Sequence, residues 1–163
     1  MTTADPPTDP TAVVQAALDA LGLDIQVQRF TVPTSTAEEA AEAVGCELGA
    51  IVKSLCFEID GRPVLVLAAG DRQVDSKALR RILTVSKRKV RIASPALVKE
   101  ATGYAVGRVP PLGHAHPLPT LIDRSLSRFE VVYAAAGTPN SLFAIRYDAL
   151  IEATGSEVHD LTA

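Results

Sequence analysis

Residues 50–69 read AIVKSLCFEIDGRPVLVLAA, two β-type runs, Ala50 to Ile59 and Arg62 to Ala69, joined by Asp60-Gly61. A two-residue Asp-Gly connection signals a tight hairpin, because such a turn needs positive φ and glycine adopts it without steric cost. The stretch around Val64 to Ala69 is the longest apolar run in the chain, strand-sized and far short of the roughly 20 residues of a membrane-spanning helix. One residue interrupts the first strand. Alternation puts Lys53 on the face shared by Ile51 and Leu55, and Val52, Ser54 and Cys56 on the other. A cation is costly to bury unless it is paired or faces a cavity. If both faces of the strand are covered, Lys53 lines a pocket; a lysine snorkelling from a strand end is the alternative.

Helical signals flank the hairpin on both sides. Val13, Val14, Ala17, Leu18 and Leu21 recur at helical spacing, with Thr11 or Asp9 available as cap and Gly22 as stop. Ile25 and Val27 alternate with glutamines as a short strand ending near Phe30. Ser35 with Glu38, or Thr36 with Glu39, makes a capping box ahead of an Ala-rich helix that stops at Gly45. Beyond the hairpin, Asp75 caps a helix carrying Ala78, Leu79, Ile82 and Leu83, and Ser94-Pro95 opens another that closes at Gly103. Leu121 to Asp123, Phe129 to Ala135 and Leu142 to Tyr147 read as strands, and Tyr147 to Thr154 as a terminal helix. Strands and helices mix without strict alternation, which predicts an α/β domain with a mixed, strongly curved sheet and flanking helices. It spans residues 11–163 as a single unit, after a flexible tail of residues 1–10 rich in Pro, Asp and Thr.

A chain of 163 residues, 47% hydrophobic, can bury a core without disulfides or a structural metal. Cys46 and Cys56, with no signal-peptide pattern, read as reduced thiols of a cytoplasmic protein. Cys56 lies among apolar neighbours, where a thiol stays protonated and inert. A net charge of −3 argues against a protein that coats nucleic acid with its whole surface. The charge is unevenly spread, however: Lys77, Arg80, Arg81, Lys87, Arg88, Lys89 and Arg91 are seven of the 16 Lys and Arg. Such a stretch suits contact with a phosphate backbone, or else a solvated helix face. No G-x-S-x-G, Walker A or dinucleotide-binding pattern occurs, which leaves serine hydrolase, NTPase and dehydrogenase chemistry without support.

Residues 102–119, TGYAVGRVPPLGHAHPLP, lack either hydrophobic period and read as a long ordered loop, rich in glycine for close approach and proline for rigidity. His114 and His116 sit two apart, without a nearby Cys, Asp or Glu to complete a tetrahedral zinc site, so no metal and no cofactor are expected. For His114 both a hydrogen-bonding or general-base role and a plain surface imidazole stay open.

Three segments together, IVKSLCF at 51–57, TGYAVGRVPPLGHAHPLPTLID at 102–123 and VVYAAAGTPNSLFAI at 131–145, resemble the YbaK/EbsC family. These are free-standing relatives of the editing domain inserted in bacterial prolyl-tRNA synthetases. The resemblance covers about residues 24–155. It implies a barrel-like mixed sheet and hydrolysis of the ester joining a wrong amino acid to the terminal adenosine of tRNA. The family's lysine matches Lys53, its loop facing the aminoacyl group matches Gly107 through Pro111, and its second glycine motif matches Gly137. The expected site is therefore Lys53 as the catalytic residue, with Ser54, Gly103, Gly107, Val109, Pro110, Pro111, Gly113, His114, Gly137 and Thr138 binding substrate. Lys77, Arg80, Arg81, Lys87 and Arg88 would meet the tRNA backbone.

Members resembling cysteinyl-tRNA(Pro) deacylases carry a tyrosine near Phe30 and polar residues near Ala135 and Leu142; this chain is apolar at all three. That favours alanine, 2-aminobutyrate or serine over cysteine. Water or the neighbouring ribose hydroxyl would take part in proton transfer. Mischarged tRNA, with prolyl-tRNA synthetase as a possible associate, is the expected partner; the sequence leaves the oligomeric state open. The initiating Met and polar tail suggest a free-standing chain rather than a synthetase fragment. A module of the same fold that binds an aminoacyl or nucleotide end without cleaving it is the alternative.

Overall fold

The computed structural model describes residues 9–163, so most of the expected tail lies outside the described residues. Helix α1 (Pro10–Ala20) begins with proline at its first turn, and Asp9 caps it by accepting from the Thr11 amide. Strand β1 (Gln28–Arg29) is followed by α2 (Ala37–Val44), then by β2 (Ile51–Ile59) and β3 (Arg62–Ala69). Next come α3 (Ser76–Leu83), β4 (Val90–Ile92), α4 (Pro95–Thr102), β5 (Thr120–Asp123), β6 (Val131–Ala135), β7 (Ser141–Arg146), α5 (Tyr147–Thr154) and β8 (Glu157–His159).

The hairpin forms as its turn chemistry dictates: Asp60 and Gly61 have φ of 51° and 80°, and Ile59 faces Arg62 across the two-residue loop. Of the two capping-box frames, Thr36 with Glu39 is the one used, each side chain bonding the other's backbone at 3.1 Å. Asp75 and Ser94 cap α3 and α4 as expected.

The mixed eight-stranded sheet has the order β1-β7-β6-β2-β3-β5-β8, with β4 paired to β2 off this path. Strand β2 runs antiparallel to β3 and β4 and parallel to β6. The period of two divides the core. Val52, Cys56, Leu65, Leu67, Ile122, Val132 and Phe143 pack with Val14 and Leu18 of α1, Val98 of α4 and Leu150 of α5. Phe57, Ile59, Val64, Val66 and Leu121 pack instead with Leu79 of α3. Ala40 and Ala41 of α2 cover Ile51 and Leu142. Both faces of β2 and β3 are thereby covered.

The strand expected to end near Phe30 is only Gln28–Arg29. The Gln15 side chain donates to the Ile25 carbonyl at 2.7 Å and accepts from the Val27 amide at 2.9 Å, occupying backbone groups a ladder would use. Helix α5 is not the last element, since β8 follows it and runs parallel to β5. Asp123, at the end of β5, is 2% exposed and fastens the C-terminal segment, accepting from the amides of Leu161 (2.7 Å) and Thr162 (3.2 Å). No helix among the described residues is long and apolar enough to cross a membrane.

Candidate functional site

The register of β2 makes a notch. On one edge its ladder with β3 runs from Val52 to Ile59. On the other edge β6 pairs only with Ile51 and Val52, and β4 only with Phe57 to Ile59, leaving Lys53 to Cys56 without a strand partner. The Ile51 carbonyl accepts from Gly70 on the β3 side and the Cys56 carbonyl from Ala93 on the other. Main-chain polar groups alternate sides along a strand, so the amide and carbonyl of Ser54 face the notch.

A cavity of about 340 Å³ fills this notch. Its walls come from the segment Thr34 to Ala37 with Ala40, from Ile92, Ala93 and Val98, from Val106, Gly107 and Val109, and from Ala135 and Leu142. Lys53, Ser54, Leu55 and Cys56 form the floor. Among the described residues, Lys53 is the only charged side chain in this lining, which contains no carboxylate and no imidazole. The Lys53 ammonium donates to the main-chain carbonyl of Arg72. Burial pushes the Cys56 thiol above its ordinary range, which keeps it protonated and disfavours a nucleophilic role. The Ser54 hydroxyl is buried without a hydrogen-bond partner among the described residues.

Of the expected site residues, the structure brings Lys53, Ser54, Gly107 and Val109 to this cavity. Gly107 needs its glycine: its φ is +85°, at a turn lying against the Ser35 carbonyl. The other positions stand elsewhere. Gly103 is the left-handed C-cap of α4. The Gly113 carbonyl accepts from Tyr104 at 2.7 Å, beside α1. Pro111 and His114 line a second hollow, with Leu118 and Thr154. There His114 contacts the Pro110 carbonyl at 2.7 Å through Nε2; burial pushes its pKa below the ordinary imidazole value, outweighing that bond.

Gly137 and Thr138 belong to the turn that hangs the cavity wall. A Cβ on Gly137 would come within 2.8 Å of Pro10 and 2.9 Å of the Tyr104 ring. Thr138 bonds Ser141 and Asn140, and the next carbonyl, of Pro139, accepts from the Thr34 amide at 2.7 Å. Of the three positions compared for specificity, Ala135 and Leu142 line the cavity; Phe30 packs in the α2 cluster instead.

The basic residues occupy α3, the turn after it and, at Arg91, strand β4. Lys89 pairs with Asp60 at 2.8 Å and Arg91 with Glu58 at 3.1 Å. Lys77, Arg80, Arg81, Lys87 and Arg88 form no ion pair among the described residues. Sequence reasoning missed Thr34 to Thr36, Ile92 and Val106. The first group carried a signal, three hydroxyl residues entering a capping box. Ile92 was masked by its basic neighbours.

The chain matches the aminoacyl-tRNA editing domain over residues 31–153. It is 38% identical over 133 residues to the uncharacterized protein YwhH of Bacillus subtilis, covering 81% of this chain and 83% of that one. It is 41% identical over 78 residues to a proline–tRNA ligase of Maridesulfovibrio salexigens, covering 48% of this chain but only 13% of the ligase. A crystal structure described as a candidate trans-editing enzyme for prolyl tRNA synthetase superposes with a TM-score of 0.89 at 38% identity. That match covers 97% of this chain and 99% of the other.

Proposed function

The chain belongs to the aminoacyl-tRNA editing domain family, and from that premise we propose that it is a deacylase acting on mischarged tRNA. Its substrate is the ester of a small amino acid, alanine, 2-aminobutyrate, serine or cysteine, on tRNA(Pro). The observation that carries this reading is Lys53 as the lone charge in an otherwise largely apolar cavity at a strand edge.

An aminoacyl ester is already activated, so a site that holds it and supports the developing oxyanion needs no strong nucleophile. The Lys53 ammonium supplies positive charge, and the main-chain groups of Ser54 and Gly107 offer fixed polar contacts. With no carboxylate or imidazole in the lining, proton transfer falls to water or the neighbouring ribose hydroxyl. Ala135, Leu142, Val109 and Ile51 bound the space for the side chain, which favours small amino acids. The unpaired cations from Lys77 to Arg88 suit the phosphates of the RNA outside the cavity, and prolyl-tRNA synthetase is the synthetase whose errors it would correct.

Purified protein incubated with alanyl-, 2-aminobutyryl-, seryl- and cysteinyl-tRNA(Pro) tests the reading. Release of at least one amino acid well above the spontaneous rate is expected. Binding of all four without release would replace the deacylase with a recognition module.

A further inference from the structure

Two large aliphatic side chains are exposed where such residues are usually covered: Ile92 at 78% and Val106 at 60%. Isolated exposed aliphatics are common on protein surfaces, but these two come from different segments and both border the same cavity. Neither is loosely held. Ile92 lies opposite Phe57 in the β2–β4 ladder, and the next amide, of Ala93, bonds the Cys56 carbonyl at 3.0 Å. Paired strand residues share a face, so Ile92 extends the row formed by Lys53, Leu55 and Phe57. Val106 sits in a turn closed by the Arg108 amide donating to the Ala105 carbonyl at 3.1 Å, with Gly107 at a φ of 85°.

We propose that Ile92 and Val106 form an apolar ledge at the cavity mouth, on which the terminal nucleobase of the acylated RNA packs its flat face. This inference rests on the reading of the cavity as an aminoacyl-tRNA site. At about 340 Å³ the cavity is at the small end of ligand sites. It has room for an aminoacyl group and part of its ribose, which leaves the base at the mouth. Bases taken out of a stack are held between aromatic or apolar side chains, and the only aromatic in the lining, Phe57, is buried. The segment that leads into the ledge also carries the charges a nucleic acid needs. Ile92 is four residues beyond Arg88, at the end of the segment carrying the unpaired Lys87 and Arg88. An apolar surface at the end of a strand that follows a cationic turn suits a base joined to its phosphate better than it suits a second protein.

The test uses two non-hydrolysable probes, alanine amide-linked to the 3′ position of adenosine, and the same amide on a ribose lacking the base. Wild-type protein is expected to bind the adenosine probe more tightly. Ile92→Ser with Val106→Ser should remove about tenfold of that preference, the scale expected for an apolar surface of this size. Leu21→Ser, an equally simple change at an exposed leucine that does not line the cavity, should preserve it. Equal binding of the two probes by wild type, or a preference unchanged in the double variant, overturns the ledge. If the preference depends on the ledge but no aminoacyl-tRNA is hydrolysed, the ledge stands and the deacylase reading fails.

Discussion

Lys53 on β2 donates a hydrogen bond to the carbonyl of Arg72, 19 residues later and just beyond β3. A main-chain carbonyl orients an ammonium without cancelling its charge. It also uses only one of three N–H donors, so two remain for a ligand in the cavity. Lys53→Ala should lower the deacylation rate by about 10²- to 10³-fold, the usual loss when one preorganised electrostatic donor is removed. Lys53→Arg should be impaired as well, because a planar guanidinium does not reproduce the compact ammonium. Single-turnover deacylation alongside thermal melting checks both, with the melting temperatures expected to stay close to wild type.

Lys87 and Arg88 are exposed and form no ion pair among the described residues, whereas Lys89 and Arg91 are held by Asp60 and Glu58. If they meet phosphates, affinity for tRNA falls with salt, and Lys87→Ala with Arg88→Ala lowers the log–log slope by roughly one for each phosphate left without its cation. Filter binding across a salt series measures this. A slope unchanged by the double variant would return both residues to ordinary solvated surface.

Gly137 distinguishes a packing role from direct substrate contact. An alanine there meets Pro10 and Tyr104 and must hold a φ of +97°. Gly137→Ala should therefore destabilise the fold by about 1–3 kcal/mol. Because the adjoining turn carries the Thr34 wall, KM should rise as well, in proportion to the loss of order. Urea unfolding and deacylation kinetics on the same variant check the pairing of effects.

Asp123 sets an acid limit. Burial disfavours its charge, but hydrogen bonds from Ser125, Leu161 and Thr162 outweigh that and hold its carboxyl below the ordinary range. A depressed folded pKa contributes stability that is complete above the unfolded value of about 3.9 and is lost as pH falls through the folded one. Asp123→Asn should be less stable at neutral pH and show a shallower decline in acid. Denaturant unfolding between pH 3 and pH 7 reads both.

What was legible in the sequence was what depends on near neighbours. The Asp60-Gly61 turn, the Thr36–Glu39 box and the caps at Asp75 and Ser94 each state their geometry within four residues. Strands β4 and β8 did not, because three-residue strands exist only through their partners, Phe57 to Ile59 and Leu121 to Asp123. Ile25 and Val27 misled for a related reason, their backbone being claimed by Gln15 from α1. The site divides the same way. Lys53 was an anomaly visible within its own strand, and Gly107 came from the resemblance. The Thr34 wall depends on the Pro139 carbonyl, 105 residues away, which no local pattern announces.

The strand-free stretch of β2 is an edge placed inside a sheet, where neighbouring elements shield it from the chain-to-chain pairing that outer edges invite. Its Ser54 amide and carbonyl are main-chain groups, the same whatever side chain occupies the position. Under the deacylase proposal, such a floor would suit what all amino acids have in common, while Ala135, Leu142 and Val109 would meet what differs between them. Point mutations alter those walls and leave the floor's hydrogen-bonding groups in place. On that reading the same scaffold would change which amino acid it admits without rebuilding the surface that holds the shared part.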